Sequence, residues 1–213
     1  MEDGIKLKRA ATVIVAAGSF PRKGSAAWRI LADAKRVVGC DGAAAAYRRR
    51  FGKWPTVIVG DLDSFRPPVG FNAQAAGASE IVRVDDQNLN DLEKALRFCA
   101  GRGWRNPVIV GATGKREDHM LGNVFRALAY GCEIVTDLGR FVPVNGKAVL
   151  KVAKGAAVSV FAPDPKTRMT SKGLKWPLNK VRFRNLYCAT LNRATASRIT
   201  LTATCPVSVY IED

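Results

Sequence analysis

Residues 57–65 read VIVGDLDSF, an uninterrupted apolar run closed by glycine and followed at once by two aspartates. The run shows no alternation of polar and apolar residues. It therefore predicts a strand covered on both faces, the kind found in a parallel sheet wound with helices. Asp61 and Asp63 just beyond it repel each other, and burial would worsen the repulsion unless a cation or strong donors compensate. Read alone, the stretch has a plain alternative in which Asp61 starts a turn and Asp63 caps a helix.

The same pattern recurs on either side. Short runs rich in β-branched residues at 11–17, 36–39, 56–60, 80–84, 107–111 and 133–136 alternate with segments of helical spacing, such as Leu89, Leu92, Ala95, Leu96 and Cys99. This predicts an α/β fold, a parallel doubly wound sheet with right-handed crossovers, over residues 1–140. Beyond that point the chain changes to short alternating segments at 157–161, 181–183 and 199–203, separated by turn-forming residues. A smaller all-β sandwich domain over 141–213 is expected.

Composition narrows the function classes. The chain has 213 residues, 47% hydrophobic and 24% charged, as in ordinary globular proteins. No apolar run of membrane-spanning length and no secretory leader pattern occurs, so a cytoplasmic, non-membrane protein is expected. Cys40, Cys99, Cys132, Cys188 and Cys205 are scattered without a C-x-x-C pair, which predicts buried free thiols and neither a disulfide framework nor a cysteine zinc site. The net charge of +16 suits an anionic substrate or a nucleic acid. Its longest basic run, Arg48-Arg49-Arg50, lies in a helical pattern without interleaved aromatics and reads as a solvated face, so nucleic acid is not the expected partner.

In an open parallel sheet ligands bind beyond the carboxyl ends of the strands. Four of those ends are chemically loaded here: Asp41-Gly42-Ala43, Gly60-Asp61-Leu62-Asp63-Ser64, Gln87-Asn88-Leu89-Asn90-Asp91, and Gly111-Ala112-Thr113-Gly114-Lys115-Arg116-Glu117-Asp118-His119. Carboxylates gathered on one rim call for a divalent cation shared with a phosphate chain, and Mg2+ suits them better than zinc in a chain with a single histidine. Gly111, Thr113 and Gly114 let backbone amides approach an anion, with Lys115 and Arg116 as cations. Neither a Walker A sequence nor a G-x-G-x-x-G fingerprint is present.

These four stretches, with Gly173-Leu174-Lys175-Trp176-Pro177-Leu178 further on, stand in the order of the marks of thiamine pyrophosphokinases, and the chain resembles that family over residues 36–192. The resemblance implies an ATP-binding α/β domain and a thiamine-binding, dimer-forming β domain. It also implies a homodimer with thiamine where the subunits meet, and transfer of pyrophosphate from ATP to thiamine with release of AMP. By that resemblance Asp61, Asp63 and Asp91 hold Mg2+ and phosphates, Asp41 and Gly42 form the turn at the nucleotide end, and Arg116 faces the phosphates. Asp118, Trp176 and Asn192 belong to the thiamine site, with Trp176 stacking on a ring. Asp91 or Asp63 is the expected acceptor of the hydroxyl proton, and His119 a supporting group.

The chain departs from the family pattern at five positions. Ala43 stands for a glycine, Asn88 for an aspartate, Asn90 for a threonine, Lys115 for a glycine and Leu191 for a serine. Two other readings stay open on sequence alone: a nucleotide- or nucleic-acid-binding module without catalysis, and a Mg2+-dependent phosphohydrolase. Trp176 would serve equally as a core plug of the sandwich.

Overall fold

A computed structural model describes residues 10–65, 80–179 and 181–213. The chain divides into two compact units. Of the described residues, one takes those from Ala10 to Arg126 together with Val135–Asp137, and the other takes Ala127–Ile134 and Leu138–Asp213. The expected boundary at 140 lies within β7 (Gly139–Lys151).

The first unit is the wound α/β sheet. β1 (Thr12–Val15), β2 (Arg36–Cys40), β3 (Val57–Gly60), β4 (Glu80–Arg83) and β5 (Val108–Val110) pair in parallel in the order β5-β1-β2-β3-β4. Val13, Ile14 and Val15 of β1 and Ile58 and Val59 of β3 are wholly inaccessible, as uniformly apolar strands require. β4 departs from that expectation. Among the described residues it pairs with β3 alone, and Glu80, Ile81 and Arg83 are exposed, as befits an edge with cover on fewer sides.

Helices α1 (Ala26–Ala32), α2 (Ala43–Phe51), α3 (Asp91–Gly101) and α4 (Glu117–Ala129) supply the crossovers. Ser25 caps α1 by accepting from Trp28 N at 3.1 Å, and Asn90 caps α3 by accepting from Glu93 N at 2.9 Å. α3 buries Leu92, Ala95, Leu96 and Cys99, the face its spacing predicts. The three arginines of α2 are exposed, with Arg48 lying 4.6 Å over the Trp54 ring.

The strand order contains a reversal. From β1 the chain steps outward through β2, β3 and β4, then returns to place β5 on the other side of β1. The switch point therefore falls between β1 and β5, and a crevice is expected at the carboxyl ends of those two strands.

The second unit is built on one long antiparallel pair, β7 with β11 (Arg198–Glu212), whose register shifts between Ala203 and Val207. Before the shift β11 also pairs with β9 (Met169–Lys172), and after it with β8 (Ala157–Phe161), itself paired with β10 (Ala189–Arg193). The irregularity, which spans Pro206, thus separates the β9 and β8 pairings along β11. The core of the unit holds Val158, Val160, Leu174, Phe183, Ile199, Leu201, Val209 and Ile211. Residues 181–183 form no strand, although Phe183 is buried in that core.

Candidate active site

A cleft of about 410 Å³ opens at the reversal. The loop after β1 supplies Ala16, Ala17 and Gly18, and the loop after β5 supplies Ala112, Gly114, Lys115 and Arg116. Gly18 N donates to Gly111 O at 2.7 Å and Ser19 N to Thr113 O at 2.8 Å, so the two loops are laced together. A Cβ on Gly18 would lie 2.5 Å from both carbonyl oxygens, which only glycine avoids. At Gly114 a side chain is barred twice over, by φ of +69° and by Ser19 Oγ at 2.3 Å from the Cβ position.

Asp61 and Asp91 line the opposite wall and are joined by a residue that the motif reading passed over. Lys94 reaches back from α3 and places Nζ 3.0 Å from Asp61 Oδ2 and 3.4 Å from Asp91 Oδ1, with 1% of its side chain exposed. Its signal was in the sequence, since a lysine three residues after Asp91 shares that acid's helix face. The ammonium and the Asp63 N–H hold the Asp61 carboxyl below the usual carboxylate range. Burial pushes Asp91 the other way, above its ordinary value, and Lys94 offsets this only in part. Burial disfavours the charged form of Lys94, but the Asp61 hydrogen bond and the two negative charges prevail and raise its pKa.

Other expected residues sit around this pair. Asp63 is exposed and contributes its backbone N–H to Asp61 Oδ1 at 3.2 Å, so Asp61, Asp63 and Asp91 are not drawn together as three side chains. Among the described residues no group of three or more His, Cys, Asp or Glu is placed to hold a metal ion. Asp41 is buried just after β2, with Oδ2 accepting from Ser64 N at 3.0 Å and Oδ1 without a hydrogen-bond partner among the described residues. A Cβ on Gly60 would stand 2.8 Å from Asp41 Cβ, so the β2 and β3 turns also depend on close approach.

Arg116 lines the cleft and pairs with Asp118 at 2.6 Å, where the guanidinium lowers the Asp118 carboxyl to about 2. Asp41, Gly42, Asp63, Gly111, Thr113 and Asp118 stand outside the lining, whereas His119, Asn90, Asn123 and Cys40 belong to it. Burial raises the Cys40 thiol well above its ordinary value, and its Sγ faces Asp91 O at 3.6 Å. Cys99 and Cys132 are buried as well, but Cys188 is exposed and Cys205 partly so, against the expectation that all five thiols are buried.

Two family departures acquire a local cause. Asn90 Nδ2 donates to Asn123 Oδ1 and Asn123 Nδ2 to Ala112 O, each at 3.0 Å. The cap of α3 is thereby tied to α4 and the glycine loop, with the Asn90 amide oxygen holding the cap while its nitrogen makes the link. Lys115 adopts φ of +80°, a region that suits the family's glycine, and its Nζ donates to Ala17 O at 2.8 Å. Leu191 likewise has φ of +63° and is 84% exposed.

In the β unit Trp176 is 52% exposed, so it does not plug the core. Buried Asn192 accepts from Trp176 N at 3.1 Å and donates to Trp176 O at 2.7 Å, holding the backbone while the ring stands outside under Lys175.

The fold and cleft define a wound α/β unit with a cleft lined by acids and cations at its reversal, followed by a smaller β-rich unit. The family model for the catalytic domain of thiamin pyrophosphokinase matches residues 27–135, and that for its substrate-binding domain matches 139–210. The chain belongs to the thiamin pyrophosphokinase family. It is 36% identical over 80 residues to thiamine pyrophosphokinase 1 of Oryza sativa subsp. japonica, covering 33% of this chain and 29% of that one. It is 29% identical over 99 residues to thiamin pyrophosphokinase 1 of Caenorhabditis elegans, covering 43% and 39%. The matches thus span well under half the length of these curated relatives.

Similar solved structures include thiamine pyrophosphokinase from Bacillus subtilis, with TM-score 0.74 at 20% identity over 95% of this chain and 98% of that one. Thiamin pyrophosphokinase from Candida albicans has TM-score 0.77 at 15% identity over 95% and 89%. At these identities the likeness shows the fold. Among the described residues no helix is long and apolar enough to cross a membrane.

Proposed function

We propose that the protein is an ATP-dependent thiamine pyrophosphokinase. The thiamine hydroxyl attacks the β-phosphorus of ATP, the bond from that phosphorus to the α,β-bridging oxygen breaks, and AMP leaves while the pyrophosphoryl group stays on thiamine. The observation that carries this reading is the meeting of the Asp61–Lys94–Asp91 group with the laced glycine loop and Arg116 at one strand-order reversal, in a chain of this family.

Such transfer asks the protein chiefly for positioning and charge compensation. Gly18, Gly111 and Gly114 leave backbone close to the phosphates, and Lys115 and Arg116 stabilise charge on their oxygens. Asp91 is better placed than Asp63 to accept the hydroxyl proton, since it lines the cleft and burial raises its own pKa.

The residues present fit Mg2+ as an ion that takes one or two carboxylates and completes its shell with phosphate and water, and they do not fit an all-protein metal cage. Asp61 and Asp91 would hold it. When bound, Mg2+ neutralises charge on the phosphate oxygens.

Thiamine falls to Trp176, whose exposed ring offers a stacking face, and to Asp118, whose carboxylate stays ionised across the physiological range and suits a cationic ring. Asn192 holds Trp176 in place. The reading includes a homodimer in which the thiamine site is shared between subunits, in the cytoplasm, with nucleic acid as no part of the function. The test is whether purified protein with Mg2+ forms AMP from ATP only when thiamine is added. AMP production independent of thiamine would favour the phosphohydrolase reading.

A further inference from the structure

We infer that Lys94 is a built-in cation that prevents the Asp61/Asp91 pair from loading a free divalent metal, so that the metal enters the cleft only together with the phosphates of the nucleotide. The inference rests on the reading of this cleft as a Mg2+–nucleotide site. Lys94 is buried, and its Nζ engages one oxygen of each acid, at 3.0 and 3.4 Å. The second oxygen of Asp61 already accepts the Asp63 N–H at 3.2 Å. A bare cation would have to share this pair of carboxylates with an ammonium within a few ångströms.

The charge around the cleft points the same way. Its lining holds two acids, Asp61 and Asp91, against three cations, Lys94, Lys115 and Arg116, with His119 as the remaining titratable group beside the Cys40 thiol. Asp41 lies outside the lining, and Asp118 is taken up by Arg116. With Arg116 neutralised by Asp118, Lys94 and Lys115 balance Asp61 and Asp91, and a free dication meets a lining without net negative charge. The magnesium complex of a nucleoside triphosphate is still an anion, and it brings the phosphate oxygens that the protein does not supply. With no three-ligand cluster among the described residues, those oxygens are what completes the metal's shell.

Removing the Lys94 charge while leaving the acids should turn the pair into an ordinary carboxylate metal site. The experiment titrates Mn2+ into the full chain and follows it by electron paramagnetic resonance, with and without a non-hydrolysable ATP analogue. Wild type should bind Mn2+ at least about tenfold more weakly without the analogue than with it, and Lys94→Met should tighten analogue-free binding by about tenfold or more. Lys94→Gln, which keeps a donor for the acids and loses the charge, should tighten it likewise and covers the case in which the methionine variant does not fold.

Tight analogue-free binding by wild type would overturn the inference, as would unchanged affinity in a folded Lys94→Gln protein, the result expected of a purely structural lysine. Failure of wild type to bind the analogue with Mn2+ at all would instead overturn the nucleotide reading of the cleft, and the inference with it.

Discussion

Asn192 grips Trp176 by its backbone alone, with the amide oxygen 3.1 Å from Trp176 N and the amide nitrogen 2.7 Å from Trp176 O. The indole ring stands outside the core, with Lys175 Nζ 4.7 Å over it. Asn192→Asp keeps the acceptor and loses the donor, and a buried carboxylate facing a carbonyl is repelled. This variant should raise the thiamine KM severalfold and leave the ATP KM within about twofold, much as Trp176→Ala should. Equal shifts in both constants would show that Trp176 serves the fold and not thiamine.

Asp61→Asn should lower kcat/KM by on the order of a hundredfold, the scale of losing one preorganised charge-compensating group. The folded state should persist, because the Asp61 side chain is partly open and Lys94 keeps Asp91. Asp63→Asn should cost far less, since that side chain is exposed and acts through its backbone N–H. Steady-state kinetics beside a thermal melt checks both, and comparable losses in the two variants would contradict this division of roles.

Gly114→Ala meets a left-handed backbone and a Ser19 contact together. It should destabilise the protein by about 1–3 kcal/mol and weaken nucleotide binding. Adding Ser19→Gly should recover part of the loss by removing the contact while the backbone strain remains. A chemical-denaturation series on the single and double variants reads this directly, and no recovery would show that the Ser19 contact does not limit the loop.

The pH dependence should carry the mark of Asp91. Its pKa is raised in the folded protein, so as pH falls it is protonated before Asp61, whose pKa is lowered. The acid limb of kcat/KM for ATP should therefore lie above the ordinary aspartate range near 3.9 and reflect one proton. The effect on stability has the opposite sense for the two acids. Asp61 contributes stability above its unfolded pKa that is lost as pH drops through its lower folded value, whereas protonating Asp91 relieves the cost of burying its charge. An acid limb unchanged in Asp91→Asn would assign it to another group.

Much of this molecule was legible in its sequence for a physical reason. Strands buried on both faces must be apolar throughout, so β1, β2, β3 and β5 announce themselves, and ligand-facing residues in such sheets follow directly after them. β4 read the same way, yet among the described residues it is an edge, as the charged Glu80 and Arg83 within its four residues signal. Lys94 was passed over since a lysine inside a helix ordinarily reads as solvated, and only the fold shows Asp61 arriving from β3 to meet it. Gly18 was missed because its need for glycine comes from carbonyls of residues 111 and 113, far along the chain. Lys115 could be recognised as a departure from the family's glycine, but its left-handed backbone could not.

The most direct test of the proposed reaction follows the phosphorus atoms. Incubation with thiamine, Mg2+ and ATP labelled on both its β- and γ-phosphates should place both labels in thiamine diphosphate and leave the AMP unlabelled. Labelled ADP with singly labelled thiamine monophosphate, or labelled free pyrophosphate with thiamine unchanged, would contradict attack by thiamine on the β-phosphorus.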